Sequence, residues 1–198
     1  MAPALKGGPF RPPWLTGFLC ALAFVLHGLP PSVASALALE RTPIWQGQLW
    51  RLWSGHWLHF SLSHLLWDLL VVVLAAGWLE QLSRKLLVAV VCLAPVLISV
   101  ALLLFCPDMT RYGGLSGLGI SLLTALAITK LLRSAGLPWL VLLLALALKI
   151  AVEALDGGSL LGVFPNGTIR NMPEAHAAGF LAGAMLAVLW RTRSKTDS

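Results

Sequence analysis

Charge is scarce in this 198-residue chain: Asp, Glu, Lys and Arg make up 11% of it, about half the share of an ordinary soluble domain. With 58% apolar residues and a mean hydropathy of +0.84, that excludes a soluble globular domain. It also excludes a disordered chain, which is poor in apolar residues and rich in charge. Cysteine is scarce as well. Cys20, Cys92 and Cys106 are odd in number and lack pairing or metal-ligand spacing, so unpaired thiols packed in helices are expected. No polar segment carries a basic cluster, which argues against a nucleic-acid partner despite a net charge of +6. There is no H-E-x-x-H pattern and no internal repeat of the kind many transporters carry. What remains is a protein whose main partner is the lipid bilayer.

Six apolar runs can be marked, at about 14–29, 64–82, 86–106, 116–133, 137–154 and 174–190. They are separated by polar or Gly- and Pro-rich breaks. Only helices or closed barrels span lipid, because every backbone polar group must be bonded internally. These runs are too long and too evenly apolar for barrel strands, so the expected fold class is all-α, a polytopic bundle of six transmembrane helices. With the N-terminus inside, nine basic residues fall on inner segments and four on outer ones, with Lys149 left inside a span. That asymmetry predicts both termini in the cytoplasm. The expected organisation is a cytoplasmic segment 1–13, a membrane domain 14–190 and a basic cytoplasmic tail 191–198. A cleaved export signal is the competing reading of the first run: Lys6 and Arg11 precede it and Ala36-Leu37-Ala38 follows. The outer connection 30–58 carries Trp45, Trp50, Trp53 and Trp57, and is expected to lie partly in the headgroup region.

Polar groups at membrane depth are costly and mark function by default. His64 and Asp68 stand i,i+4 near the outer end of the second run, with His56 and His59 close by. They read as a hydrogen-bonded pair in a wet cavity, as a structural pair or, with His59, as a metal site; no further ligand pair stands out and no metal is expected. Gly113-Gly114-Leu115-Ser116-Gly117 opens the fourth run. Ser116 there is either an N-cap or a nucleophile whose own N–H, at the positive end of the helix, faces an oxyanion. His176 opens the sixth run, ahead of a small-residue ridge of Ala175, Gly179, Gly183 and Ala187. Gly117, Ser121 and Ala125 form a matching ridge, and small-xxx-small faces let helices approach closely. If the ridges pack, an imidazole meets a hydroxyl it can activate.

In these pieces the chain resembles the rhomboid intramembrane serine proteases, from about Trp50 to Gly183. Trp50-Arg51 looks like that family's loop motif. His59 to His64 followed by Asp68 resembles its H-x-x-x-x-H-x-x-x-N segment. Glu80 matches a carboxylate that helps hold the loop and helix network. Gly114-Leu115-Ser116-Gly117 matches G-x-S-G, and Ala175-His176 with Gly179 and Gly183 matches A-H-x-x-G-x-x-x-G. The resemblance implies a Ser116–His176 dyad, an oxyanion site using His64 and the Ser116 N–H beside Gly117, and no cofactor. The implied substrates are transmembrane or C-terminally anchored proteins that enter sideways and unwind. The implied location is a membrane, in particular a bacterial inner membrane; oligomeric state is left open.

The chain departs from the family at Asp68, where Asn is usual. An ionised Asp cannot donate to an oxyanion, so Asp68 is either protonated or orients His64 and keeps it cationic, the second being expected. Ile120 replaces an aromatic residue, so the support under His176 must differ. Gly55 replaces a histidine, with His56 adjacent. These departures and the minimal length resemble the rhombosortase branch, implying the processing of C-terminal anchoring tails of exported proteins. A catalytically inactive rhomboid-like binder of membrane clients is the alternative. Lys149 and Glu153, i,i+4 on the fifth run, are expected to pair or snorkel near its outer end, with gating as the other reading. The loop from Asp156 to Pro173 is expected to be mobile and to cap the cavity, and Asn166-Gly167-Thr168 to carry no glycan.

Overall fold

The computed structural model describes residues 12–133, 136–155 and 172–196. The expected capping loop, with Asn166-Gly167-Thr168, lies outside the described residues. The helices are α1 (Trp14–His27), α2 (Pro31–Leu37), α3 (Arg41–Trp45), α4 (Arg51–Ser54), α5 (Leu62–Phe105), α6 (Ser116–Arg133), α7 (Leu137–Leu155) and α8 (Pro173–Thr196). A 3-10 turn follows α4 at Gly55–Trp57. Two short strands, β1 (Leu39–Glu40) and β2 (Arg111–Tyr112), pair antiparallel, Leu39 opposite Tyr112. Among the described residues the fold is all-α apart from this ribbon.

Of these, α5, α6 and α7 are long and apolar enough to cross a membrane, and α1 is a shorter apolar helix. The 44 residues of α5 are two limbs in one. Ser83 sits between them in extended conformation (φ −164°, ψ 97°), and its Oγ accepts from Leu86 N–H at 3.2 Å, capping the second limb. Unbroken, such a helix would run about 66 Å. Instead His64 from its start and Phe105 from its end line one cavity, so the limbs fold back beside each other. The break falls where the second and third apolar runs were divided.

The second limb holds a buried Pro95. Proline lacks the N–H that would bond the carbonyl four residues earlier, and the Trp53 indole donates to that Val91 carbonyl at 3.0 Å. So Trp53 is not a headgroup anchor, and neither is Trp57, which is 1% exposed. Trp45 and Trp50 are exposed. Residues 51–58 turn inward, and polar groups there find partners at the end of α2. The carbonyls at the end of α2 accept from α4: Ser35 and Ala38 from Arg51 at 2.7 Å each, Ala36 from Trp50 at 3.2 Å and Leu37 from Ser54 at 2.8 Å. Arg51 is buried as a result, and Ala38, part of the motif that also reads as a cleavage site, is buried with it.

Glu80 joins two helices. Its carboxylate accepts from Leu15 N–H (3.2 Å) and from the N–H and hydroxyl of Thr16 (2.9 Å each), and it pairs with Arg84 at 2.8 Å. It therefore ties the start of α1, whose first N–H groups have no intrahelical acceptor, to α5. The cysteines are free; Cys20 in α1 and Cys106 at the end of α5 pack against the core, while Cys92 is exposed on α5.

Candidate active site

The glycines decide the packing at the centre. A Cβ on Gly179 would collide with the Gly117 carbonyl, and one on Gly183 with the Ser121 carbonyl. A Cβ on Gly117 would sit 3.1 Å from the Ala175 carbonyl oxygen. Thus α6 and α8 meet backbone to backbone along the two small-residue ridges, as their spacing predicts. Ser121 Oγ bridges them, donating to Gly179 O at 2.8 Å. Ser116 and His176 adjoin the contacting residues Gly117 and Ala175, so this packing brings together the first turns that carry them.

Ser116 is the first residue of α6 and lies on the wall of a cavity of about 600 Å³. The cavity is also lined by Phe60, His64, residues 105–113, Met172 and Glu174. His176 is buried and does not line it. The turn before Ser116 requires glycine: Gly114 has φ +131°, and a Cβ there would fall 2.7 Å from His64 Cε1. The imidazole of His64 therefore lies directly against the turn before Ser116.

Asp68 holds two histidines. Its Oδ2 accepts from His59 Nε2 at 3.1 Å and from His64 Nε2 at 3.3 Å. His59 Nε2 is also 3.5 Å from Leu115 N, at the limit of a hydrogen bond. The expected His64–Asp68 pair is present, with His59 as a second donor. Among the described residues no group of three or more His, Cys, Asp or Glu is arranged to hold a metal ion.

Gly55 cannot carry the histidine the family pattern would put there. A Cβ would lie 2.7 Å from Leu39 N in β1. The ring comes from His56 instead, fully buried, with Nε2 at 2.9 Å from Ser99 Oγ. Ser99 gives its own hydrogen to Leu52 O at 2.7 Å, so His56 donates. Burial pushes the His56 imidazole down to about 4.

Two groups at the site were not legible as such in the sequence. Tyr112, the chain's single tyrosine, is delivered by β2. Its hydroxyl donates to Gly114 O at 3.4 Å, in the turn before Ser116, while burial, with the nearby Asp68 charge, pushes its phenol up. Only the pairing of β2 with β1 marks it out, and two-residue strands leave no periodic signal. The second is Glu153, 0% exposed, whose Oε2 lies 2.7 Å from His176 Nδ1. Lys149 does pair with Glu153, Nζ to Oε1 at 2.5 Å. The expected snorkelling does not occur for Glu153, because its carboxylate is turned inward onto the histidine. The support under His176 does differ from an aromatic ring at position 120: Ile120 is buried in α6, and a carboxylate from α7 holds the imidazole.

Trp50 and Arg51 stand apart from this cluster in the loop scaffold, and Glu80 at the base of α1. No curated protein sequence matches the chain. The family model of the rhomboid domain matches residues 46–193, a stretch that runs from the loop before Trp50 through the His64, Ser116 and His176 segments into α8. Apolar helices and that match together make the chain an integral membrane protein, and it belongs to the rhomboid family, whose members are generally serine proteases acting within the bilayer.

Proposed function

We propose that this chain is an intramembrane serine protease of six transmembrane helices, with both termini cytoplasmic in a bacterial inner membrane. Ser116 attacks a client's carbonyl carbon while His176 takes the hydroxyl proton, then returns it to the leaving amine. The oxyanion forms against the Ser116 N–H, beside Gly117 at the positive end of α6, and against His64. What carries the reading is the glycine-locked contact of α6 and α8, which joins the turns bearing hydroxyl and imidazole beside a polar cavity. The client is a transmembrane or C-terminally anchored protein whose helix frays to expose its carbonyls. The departures at Asp68, Gly55 and Ile120 favour the rhombosortase branch, and hence anchoring tails of exported proteins.

One observation favours the second reading, an inactive binder of membrane clients. His64 Nε2 is engaged with Asp68, so that nitrogen is not free to donate to an oxyanion. A fluorophosphonate probe separates the two. The protease reading expects labelling of the folded chain in detergent that disappears in Ser116→Ala and falls sharply in His176→Ala. A folded wild type that takes no label refutes it. Release of a co-expressed protein with a glycine-rich C-terminal tail and one membrane span, lost with Ser116→Ala, tests the branch.

A further inference from the structure

We infer that Glu153 is a positioning residue that completes a Ser116–His176–Glu153 triad, with the carboxylate supplied by α7. The inference rests on the dyad proposed above and deepens it.

The burial pattern of α7 is the first observation. Its 19 residues are mostly exposed or half-buried, and only Leu146 and Glu153 are buried. A carboxylate at this depth is costly unless paired, and Lys149 alone would pair with it anywhere on that face. Lysine and glutamate stems would then carry both charges toward water. Neither charge does so: Lys149, with its side chain 32% exposed, keeps its Nζ on Glu153 Oε1, and the Glu153 side chain is at 0%. The inward turn gives the carboxylate one thing the outward turn would not, the 2.7 Å contact of Oε2 with His176 Nδ1.

That contact assigns the tautomer. A carboxylate only accepts, so Nδ1 carries the hydrogen and donates it. Lys149 Nζ, 3.4 Å from the same Nδ1, is then a neighbouring donor and not a second bond. With Nδ1–H committed to Glu153, the lone pair of the neutral ring lies on Nε2. As Ser116 Oγ bonds to the client's carbonyl carbon, its proton passes to Nε2. When the C–N bond breaks, that proton leaves on the amine nitrogen. Glu153 takes no proton; it fixes the ring and faces the imidazolium while it exists. Lys149 shares the carboxylate through Oε1.

The test uses the full chain in detergent and a fluorophosphonate, in which Ser116 Oγ bonds to phosphorus and fluoride leaves. Glu153→Gln keeps size and hydrogen-bonding capacity and removes the charge. The inactivation rate constant is expected to fall at least about 100-fold, with the probe concentration for half-maximal rate unchanged. ¹⁵N-histidine spectra are expected to show His176 Nδ1 protonated in the neutral ring of the wild type and mixed in the variant. A structural role, neutralising Lys149, makes the opposite prediction for Lys149→Met/Glu153→Gln, which would then label at the wild-type rate. In the triad the double variant stays as slow as Glu153→Gln. A Glu153→Gln rate within about threefold of wild type, or recovery in the double variant, overturns the inference while leaving the dyad intact. A wild type that takes no label, or one still labelled at the active site after Ser116→Ala, overturns the dyad itself.

Discussion

At the scale of single residues, the site depends on side chains that share acceptors. Asp68 Oδ2 receives two imidazoles, and an Asn at 68 still offers one oxygen to that pair. Asp68→Asn is therefore expected to keep Ser116 labelling within about tenfold of wild type, since removing charge while keeping an acceptor costs less than leaving a buried donor unmet. Complete loss of labelling would show that the charge itself is needed. His56 presents the reverse case, a buried ring kept neutral. Its value of about 4 lies below the ordinary histidine value of 6.5, so between these two the unfolded chain binds the extra proton. Stability is then whole above about pH 6.5 and falls as pH drops toward 4, at about 1.4 kcal/mol per pH unit. His56→Gln is expected to flatten that slope in thermal melts taken across this window. An unchanged slope would place the acid sensitivity elsewhere. The histidine cluster could be read from sequence because its members are close in the chain; that His56 and not residue 55 supplies a ring could be noticed, but the reason, Leu39 pressed against Gly55, belongs to the fold.

At the scale of elements, the α6–α8 contact is the feature the sequence spelled out most fully. Glycines four apart have one use in two apolar helices, and the structure uses them so. Gly183→Ala drives a Cβ into the Ser121 carbonyl, an atom of rigid backbone that cannot swing aside. A loss of about 2 kcal/mol is expected, which lowers the melting temperature by several degrees and slows Ser116 labelling as the first turns separate. Gly77→Ala is the control, since no atom lies within 4 Å of its would-be Cβ, and it is expected to melt at or slightly above the wild-type temperature. A Gly183→Ala protein as stable as the control would mean the helices tolerate separation. The break at Ser83 was equally readable, as a polar interruption between apolar runs. What could not be read was that Val91, orphaned by Pro95, recruits Trp53. The loop tryptophans look alike in sequence, and only the position of a missing N–H sorts them.

At the scale of the whole molecule, the first helix is attached through few polar contacts. Glu80 collects its leading N–H groups at one end, and His27 Nδ1 meets the His59 carbonyl at 3.3 Å at the other. Glu80→Ala is expected to raise hydrogen exchange across residues 14–27 and to lower the melting temperature, while leaving exchange in α6 and α8 unchanged. Equal rises in all three would show that α1 and the core open as one unit.

The sequence by itself determined the class of the protein: a membrane bundle, its long apolar runs, and the pairing of two small-faced helices whose first turns carry a serine and a histidine. Each of these is written in neighbouring residues, as composition, as runs or as a four-residue period, and lipid admits few other solutions. The tertiary structure decided what each polar side chain faces. Glu153 toward His176, Tyr112 onto the turn before Ser116, Glu80 toward α1 and Arg51 toward α2 all depend on how far a helix is turned or where a short strand pairs. Such rotations are set by packing among segments distant in the chain, and no local pattern records them.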